Sequence, residues 1–387
     1  MQVKFVNASK DTWFAYYGLD PTNGTPLYLD ATGKLVPSVP SAKPTDALSI
    51  KVTSAPLDLP MLNAARLYVS TGGPLLFPVG LDKRPLPPQP PAPTDPNYHT
   101  PWDYFEITYI PSGSGGLFNV NISNVQSANL PLAFNVAGTE PSTRKPVDYT
   151  RGWLPGGYGK FLAELRANPD FSKLILPDTG RVLAPGTAIT AFKGNVIKTP
   201  LFDADYLKTY VEEVWAKFKD TDLTFVGDPP PPPLPSTFVT WTGRVQNGQF
   251  KFTTTSDLPG LEPIVLNVPT SQELFENNTF CASGCGKPHS LQENYANQLL
   301  GTLYAAFNRS VMLTTTELAN ADNSAWCMAK DKFYQYPITN YYSKAIHANS
   351  VEGLAYAFQS DDHCGESSFV PVLNPDLFTI TFVESGQ

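Results

Sequence analysis

The residues able to do chemistry in this chain are few and scattered. Glu106 lies in the strand-like run WDYFEITY at 102–109. Taken alone, one glutamate in a strand reads as an exposed edge residue. Four cysteines, Cys281, Cys285, Cys327 and Cys364, fall in the last third, near His289 and His363. An even number allows disulfides in three pairings, and spacing does not choose among them. Zinc ligation is disfavoured, because the CASGC spacing is loose and the other ligands are dispersed. His347 and His363 have no nucleophile elbow or phosphate loop beside them, and PGGYG at 155–159 reads as a turn entering a helix. No metal or other cofactor is implied.

Composition narrows the partners. The 387 residues carry a net charge of −8, only 16% charged residues, and no basic stripe. That excludes nucleic acid and anionic membrane as expected partners. No apolar run approaches the ~20 residues of a spanning helix. The opening MQVKFVNASK lacks the apolar centre of a signal peptide, so a leader was removed or never present. Secretion is nonetheless expected from the kinship set out below, and a monomer is expected.

Elements that could position these residues follow from pattern. Pro (39) and Gly (27) are abundant and 42% of residues are apolar, which implies short strands, many turns and few long helices. Strands are expected at 3–6, 12–17, 49–52, 66–70, 104–110, 117–122 and 132–136. The prolines at 85–97 are expected to be extended and on the surface. Helices are expected at 156–168, 202–220 (with Asp203 as N-cap), from Ser290 onward, and at 339–349. Five prolines at 229–233 read as a stiff spacer. Strands at 237–245 and 250–254 are joined by Asn247-Gly248, a hairpin signal. Strands at 354–358 and 378–383 close the chain. The division expected is 1–150, a β domain, and 151–387, a mixed α/β domain.

The ordered segments resemble glycoside hydrolase family 64, the laminaripentaose-producing β-1,3-glucanases. They include ARLYVSTGGPLLFPV (65–79), WDYFEITY (102–109), LFNVNISNVQSANLPLAFNV (117–136), LPGGYGKFLAEL (154–165), YVEEVWAKFKDTDLTF (210–225), TGRVQNGQFKFT (242–253), AAFNRS (305–310), YPITNYYSKAIHA (336–348) and GLAYAFQSDDH (353–363). The likeness implies a mainly β fold with an α/β part: a thaumatin-like β-barrel or sandwich domain plus a mixed α/β domain flanking a wide groove. The partner implied is a linear β-1,3-glucan or related polysaccharide.

Inverting hydrolysis needs a carboxylic acid and a carboxylate base ~6.5–9.5 Å apart, with water between. The resemblance places Glu106 on the proton donor. It places Gln126 on the base, because Asn121-Ile122-Ser123-Asn124-Val125 precedes it and Leu130-Pro131 keeps the register. A carboxamide cannot activate water as aspartate does. Thr108, Asn121, Trp102 and Phe118 are expected to touch sugar, Phe118 standing where the family has tryptophan. Asp361 and Asp362 match a family Asp pair. Asp103, Asp148, Asp361 and Asp362 are the acids that could replace the missing base. The turn at 111–116 is expected to be longer than in bacterial enzymes. Three functions stay open: an endo-β-1,3-glucanase with a replaced base, an inactive polysaccharide-binding protein, and a thaumatin-like defence or interaction protein.

Overall fold

The computed structural model describes every residue except Ser114, Pro231, Pro233, Pro235, Ser236, Gly386 and Gln387. The proline run at 229–233 therefore lies partly outside the described residues. The chain forms two compact units: 1–201 with 345–357 and 367–387, and 202–344 with 358–366. Residue 150, the expected division, falls inside the first unit because its strand pairs within that unit's sheet.

The first unit is mainly β. Its large sheet includes β1 (Gln2–Val6), β2 (Thr12–Leu19), β3 (Leu62–Thr71), β4 (Trp102–Ser112), β5 (Gly115–Ser123), β6 (Leu132–Thr139), β7 (Pro146–Gly152), β8 (Val370–Leu373) and β9 (Leu377–Phe382). Their order across the sheet is β2-β3-β4-β5-β8-β6-β9-β1, with β7 on β6. β1 and β9 run parallel, so the chain's two ends meet in one ladder. A thirteen-stranded sheet of twisted strands has to curl.

Alternation along these strands separates two environments. One face supplies Phe105, Ile107, Phe118, Val120, Ile122, Phe134 and Phe378 to a continuous apolar core. Phe378 meets Phe105, Phe118 and Phe134 with ring centres 5.2–5.6 Å apart. The other face stacks Tyr17, Tyr68, Phe77, Trp102 and Tyr104 in a smaller cluster.

The proline stretch differs from expectation. Pro85, Pro88, Pro90 and Pro91 are buried, and Asn97 clamps Leu76 through both its backbone groups at 2.7 and 2.9 Å. A segment with few N–H donors can lie on a sheet face without stranding polar groups. Residues 354–358 form no strand; the Tyr356 carbonyl instead accepts the Asn124 N–H at 2.8 Å.

The second unit has a six-stranded sheet, ordered Cys281–Ser283, Ile264–Leu266, Gln249–Thr254, Val239–Gln246, Leu223–Gly227 and Glu317–Ala319. Asn247 and Gly248 both have positive φ, as the two-residue hairpin requires. The helix Lys208–Asp220 buries Tyr210, Val211, Val214, Trp215 and Phe218. It starts five residues after Asp203, whose carboxylate instead accepts the Asp205 N–H. Ser290 caps the helix Leu291–Asn308 by accepting the Glu293 N–H at 3.1 Å. Cys281–Cys285 and Cys327–Cys364 are disulfides. All four sulfurs are thereby used, which removes the zinc alternative.

Candidate active site

β4 and β5 pair from Tyr104↔Ser123 to Ser112↔Gly115. Of the residues expected to lengthen the turn, Pro111, Ser112, Gly115 and Gly116 extend the ladder instead; Ser114 lies outside the described residues. Gly116 is needed there, since a Cβ would come 2.5 Å from the Tyr109 ring.

Register then sets one row across four strands: Tyr17 on β2, Arg66 on β3, Glu106 on β4 and Asn121 on β5. Beneath it runs Ala15, Tyr68, Tyr104 and Ser123. Tyr104 accepts a hydrogen bond from Ser123 at 3.1 Å, and the Arg66 guanidinium lies 5.2 Å from the Tyr104 ring centre. Burial and the Glu106 charge both push the Tyr104 phenol well above its usual range, so it stays protonated.

Glu106 is half-buried and accepts the Asn121 side-chain amide at 3.0 Å. A cavity of about 260 Å³ opens over it, lined also by Arg66, Thr108, Asn119, Asn121 and Phe369. Phe369 is 46% exposed. It directly precedes Val370, which pairs with Val120, so it sits at the end of the ladder next to Asn121. The Asn119 side-chain oxygen is buried with no hydrogen-bond partner among the described residues. Charge, acceptors, a hydroxyl and an aromatic face thus converge on one opening, as a sugar-binding surface requires.

Gln126 lies beyond the ladder, exposed, in a bend. Its carbonyl accepts the Ala184 N–H at 2.9 Å. On its C-terminal side Ser127 and Ala128 pair with Leu183 and Val182. Next, Asn129 and Leu130 donate their N–H groups to the Asp103 carboxylate at 2.9 and 2.6 Å. The backbone carrying Gln126 is therefore fastened on both sides while its amide faces solvent.

Three expected contacts and one candidate base differ from expectation. Phe118 is fully buried because it points to the core face, one step out of phase with Glu106. Trp102 is on the Glu106 face but 1% exposed, packed against Tyr68 and Tyr104 with Arg181 over its ring. Asp361 is fully buried in the second unit, its carboxylate 3.0 Å from Arg309, which lies between Phe333 and Phe358. Asp103 is buried on the core side and spent on the 129–130 backbone. Desolvation raises its pKa to about 7 despite those bonds and Arg181. Of the other two acids, Asp148 is bonded to Asn135 and Asp362 is exposed beside His363. Sequence reasoning missed Arg66, Asn119 and Phe369. Alternation could have put Arg66 and Asn119 on a polar face, but nothing local signals Phe369.

The family model described as β-1,3-glucanase, glycoside hydrolase 64, matches residues 1–382, so the chain belongs to that family. It is 27% identical over 352 residues to a glucan endo-1,3-beta-glucosidase of Cellulosimicrobium cellulans, covering 86% of this chain and 56% of that protein. It is also 27% identical over 333 residues to one of Arthrobacter sp. (strain YCWD3), covering 83% and 52%. The chain thus spans about half the length of these curated relatives. Among solved structures it resembles a laminaripentaose-producing β-1,3-glucanase in complex with laminaritetraose, at TM-score 0.75 and 24% identity, covering 99% of this chain and 98% of that one. A β-1,3-glucanase domain from Clostridium beijerinckii follows at TM-score 0.69 and 22% identity, covering 98% and 96%.

Proposed function

We propose that this chain binds linear β-1,3-glucan at the Glu106 face and hydrolyses it very slowly or not at all. The observation that carries the reading is a single carboxyl, Glu106, in a polar cavity of a family 64 chain, with Gln126 where the base is expected. An inverting step needs Glu106 to protonate the leaving oxygen while a second carboxylate deprotonates water. On this reading Glu106, whose carboxylate accepts the Asn121 side-chain amide, takes the first task. Gln126 can hydrogen-bond a hydroxyl or a water but cannot take its proton. Burial disqualifies Asp103 and Asp361 as substitutes.

The finer description of the first unit as thaumatin-like belongs to this proposal and rests on the segment order. An extracellular location is likewise proposed; two disulfides suit an oxidising compartment. The test is calorimetric titration with laminarihexaose beside a laminarin hydrolysis assay. Binding with little or no product supports the reading. No heat at millimolar ligand, or turnover at ordinary glycosidase rates, overturns it.

A further inference from the structure

Among the described residues lining the Glu106 cavity, Glu106 is the single acid and Arg66 the single cation; Thr108, Asn119 and Asn121 are neutral. The β3–β4 ladder sets Arg66 directly opposite Glu106, yet the two form no ion pair. Glu106 is tied to Asn121 on β5, the other neighbour of its strand. Among the described residues the Arg66 guanidinium has no carboxylate partner, and its one hydrogen bond is donated by Nη1 to the Tyr68 hydroxyl at 3.4 Å.

A half-buried guanidinium without a carboxylate carries an unbalanced charge. Its planar fork still has free N–H groups, which fit two oxygens of a tetrahedral oxyanion. Beside it lies a second hollow of about 330 Å³, whose charged lining is Arg66, Asp82 and Arg84. Asp82 lies 3.8 Å from the Arg84 Nε and offsets that cation, so Arg66 leaves the hollow net positive. Arg66 and Ala64 line both hollows. An anion therefore has its own approach to Arg66, separate from the opening over Glu106.

The nucleophile that cleaves a glycoside decides which groups a site needs. Water must lose a proton as it attacks, which demands a carboxylate base besides the acid. Hydrogen phosphate is already an anion at neutral pH; it demands a cation to hold it and no base. One acid beside one unpaired guanidinium meets the second requirement and not the first.

We propose that this cavity performs phosphorolysis: inorganic phosphate held by Arg66 attacks the β-glucan seated on Glu106. The proposal rests on the glucan reading above and names a co-substrate for the same site. A phosphate oxygen bonds to the anomeric carbon from the face opposite the glycosidic oxygen. The glycosidic C–O bond breaks, and Glu106 gives its proton to the departing oxygen. One glucan fragment leaves with a new hydroxyl and the other carries a 1-phosphate of α configuration. The proton that hydrogen phosphate brought then restores Glu106, so the cycle closes without a base.

The experiment incubates the full chain with laminarihexaose and inorganic phosphate in heavy-oxygen water, followed by phosphorus NMR and mass spectrometry, beside calorimetric titration with hexaose. An α-glycosyl phosphate should form at a rate that rises with phosphate and saturates, its anomeric oxygen unlabelled. Arg66→Gln should cut that rate at least ~100-fold while hexaose binding shows that the variant is folded. Arg84, whose side chain is 62% exposed, can be replaced without touching the core, and Arg84→Ala should raise the KM for phosphate severalfold. No glycosyl phosphate from a chain that binds hexaose overturns phosphorolysis alone. Phosphate-stimulated cleavage that puts heavy oxygen on the new reducing end is hydrolysis and overturns it as well, as does undiminished phosphorolysis in Arg66→Gln. A parent that neither binds nor cleaves hexaose overturns this inference together with the glucan reading.

Discussion

The two faces of the β4–β5 hairpin differ by one position along each strand. Glu106, Thr108, Asn119 and Asn121 line an open cavity. Phe105, Ile107, Phe118 and Val120 are buried at 2% exposure or less in the core. The core face is specified many times over, because Phe378 and Phe134 arrive from distant strands to pack it. Around the cavity itself the opposite face is held by few contacts, chiefly the Asn121–Glu106 bond, although Trp102 and Tyr104 farther along it are packed against Tyr68. Substitution should therefore change chemistry on one face and stability on the other. A family tryptophan position filled by phenylalanine looks functional in the sequence, yet its side chain belongs to the stability face.

The sharpest way to break that comparison is Gln126→Asp. It puts a carboxylate at the position where the resemblance expects the base, and should raise laminarin hydrolysis ~100- to 10,000-fold. NMR should show the α-configured product first, and adding Glu106→Gln should erase the gain. A fast parent, with Gln126→Ala harmless, would place the base elsewhere.

On the opposite face, Phe118→Ala should cost ~3–5 kcal/mol of unfolding free energy, read by chemical denaturation. Hexaose affinity of the folded protein should scarcely move. Thr108→Ala should do the reverse, with stability kept within ~0.5 kcal/mol and glucan binding weakened.

Asp103 tests the joint between the faces. Its folded pKa of about 7 lies above the ordinary 3.8, so the folded state holds its proton more tightly than the unfolded chain. The stability tied to that proton is complete below about pH 4 and is lost as pH rises toward about 7, by on the order of a few kcal/mol. Asp103→Asn keeps an acceptor for the Asn129 and Leu130 N–H groups and removes the titration. The stability of the parent relative to this variant should therefore fall between pH 4 and pH 7. A flat difference by urea denaturation would show that folding does not raise the Asp103 pKa.

The smallest effect is expected for Glu106→Gln on binding. The amide oxygen can still accept from Asn121, so hexaose affinity should change by less than about tenfold. Any residual hydrolysis should vanish. Hydrolysis at the parent's rate would remove Glu106 from the mechanism.

Much of the fold was legible locally. The Asn247-Gly248 hairpin, the Ser290 cap and the apolar stripe on 208–220 each appear as read. The start of that helix did not, because Asp203 was drawn into a local turn. Residues 354–358 had strand composition, but their backbone serves the segment before Gln126. The proline stretch carried no sign that it would cover a sheet face. Phe369 was invisible, because an isolated phenylalanine in a loop has no periodicity; β8 places it beside β5.

By itself the sequence determined the family, the β character, the alternation on the hairpin, and the presence of Glu106 with glutamine at position 126. Those depend on residue type and local order, which the chain carries in any conformation. Tertiary structure decided which positions in the hairpin meet solvent and which acids are buried. It also put Arg66 and Phe369 beside Glu106. Register between strands far apart in sequence sets these outcomes, and register depends on how every strand buries its apolar face at once.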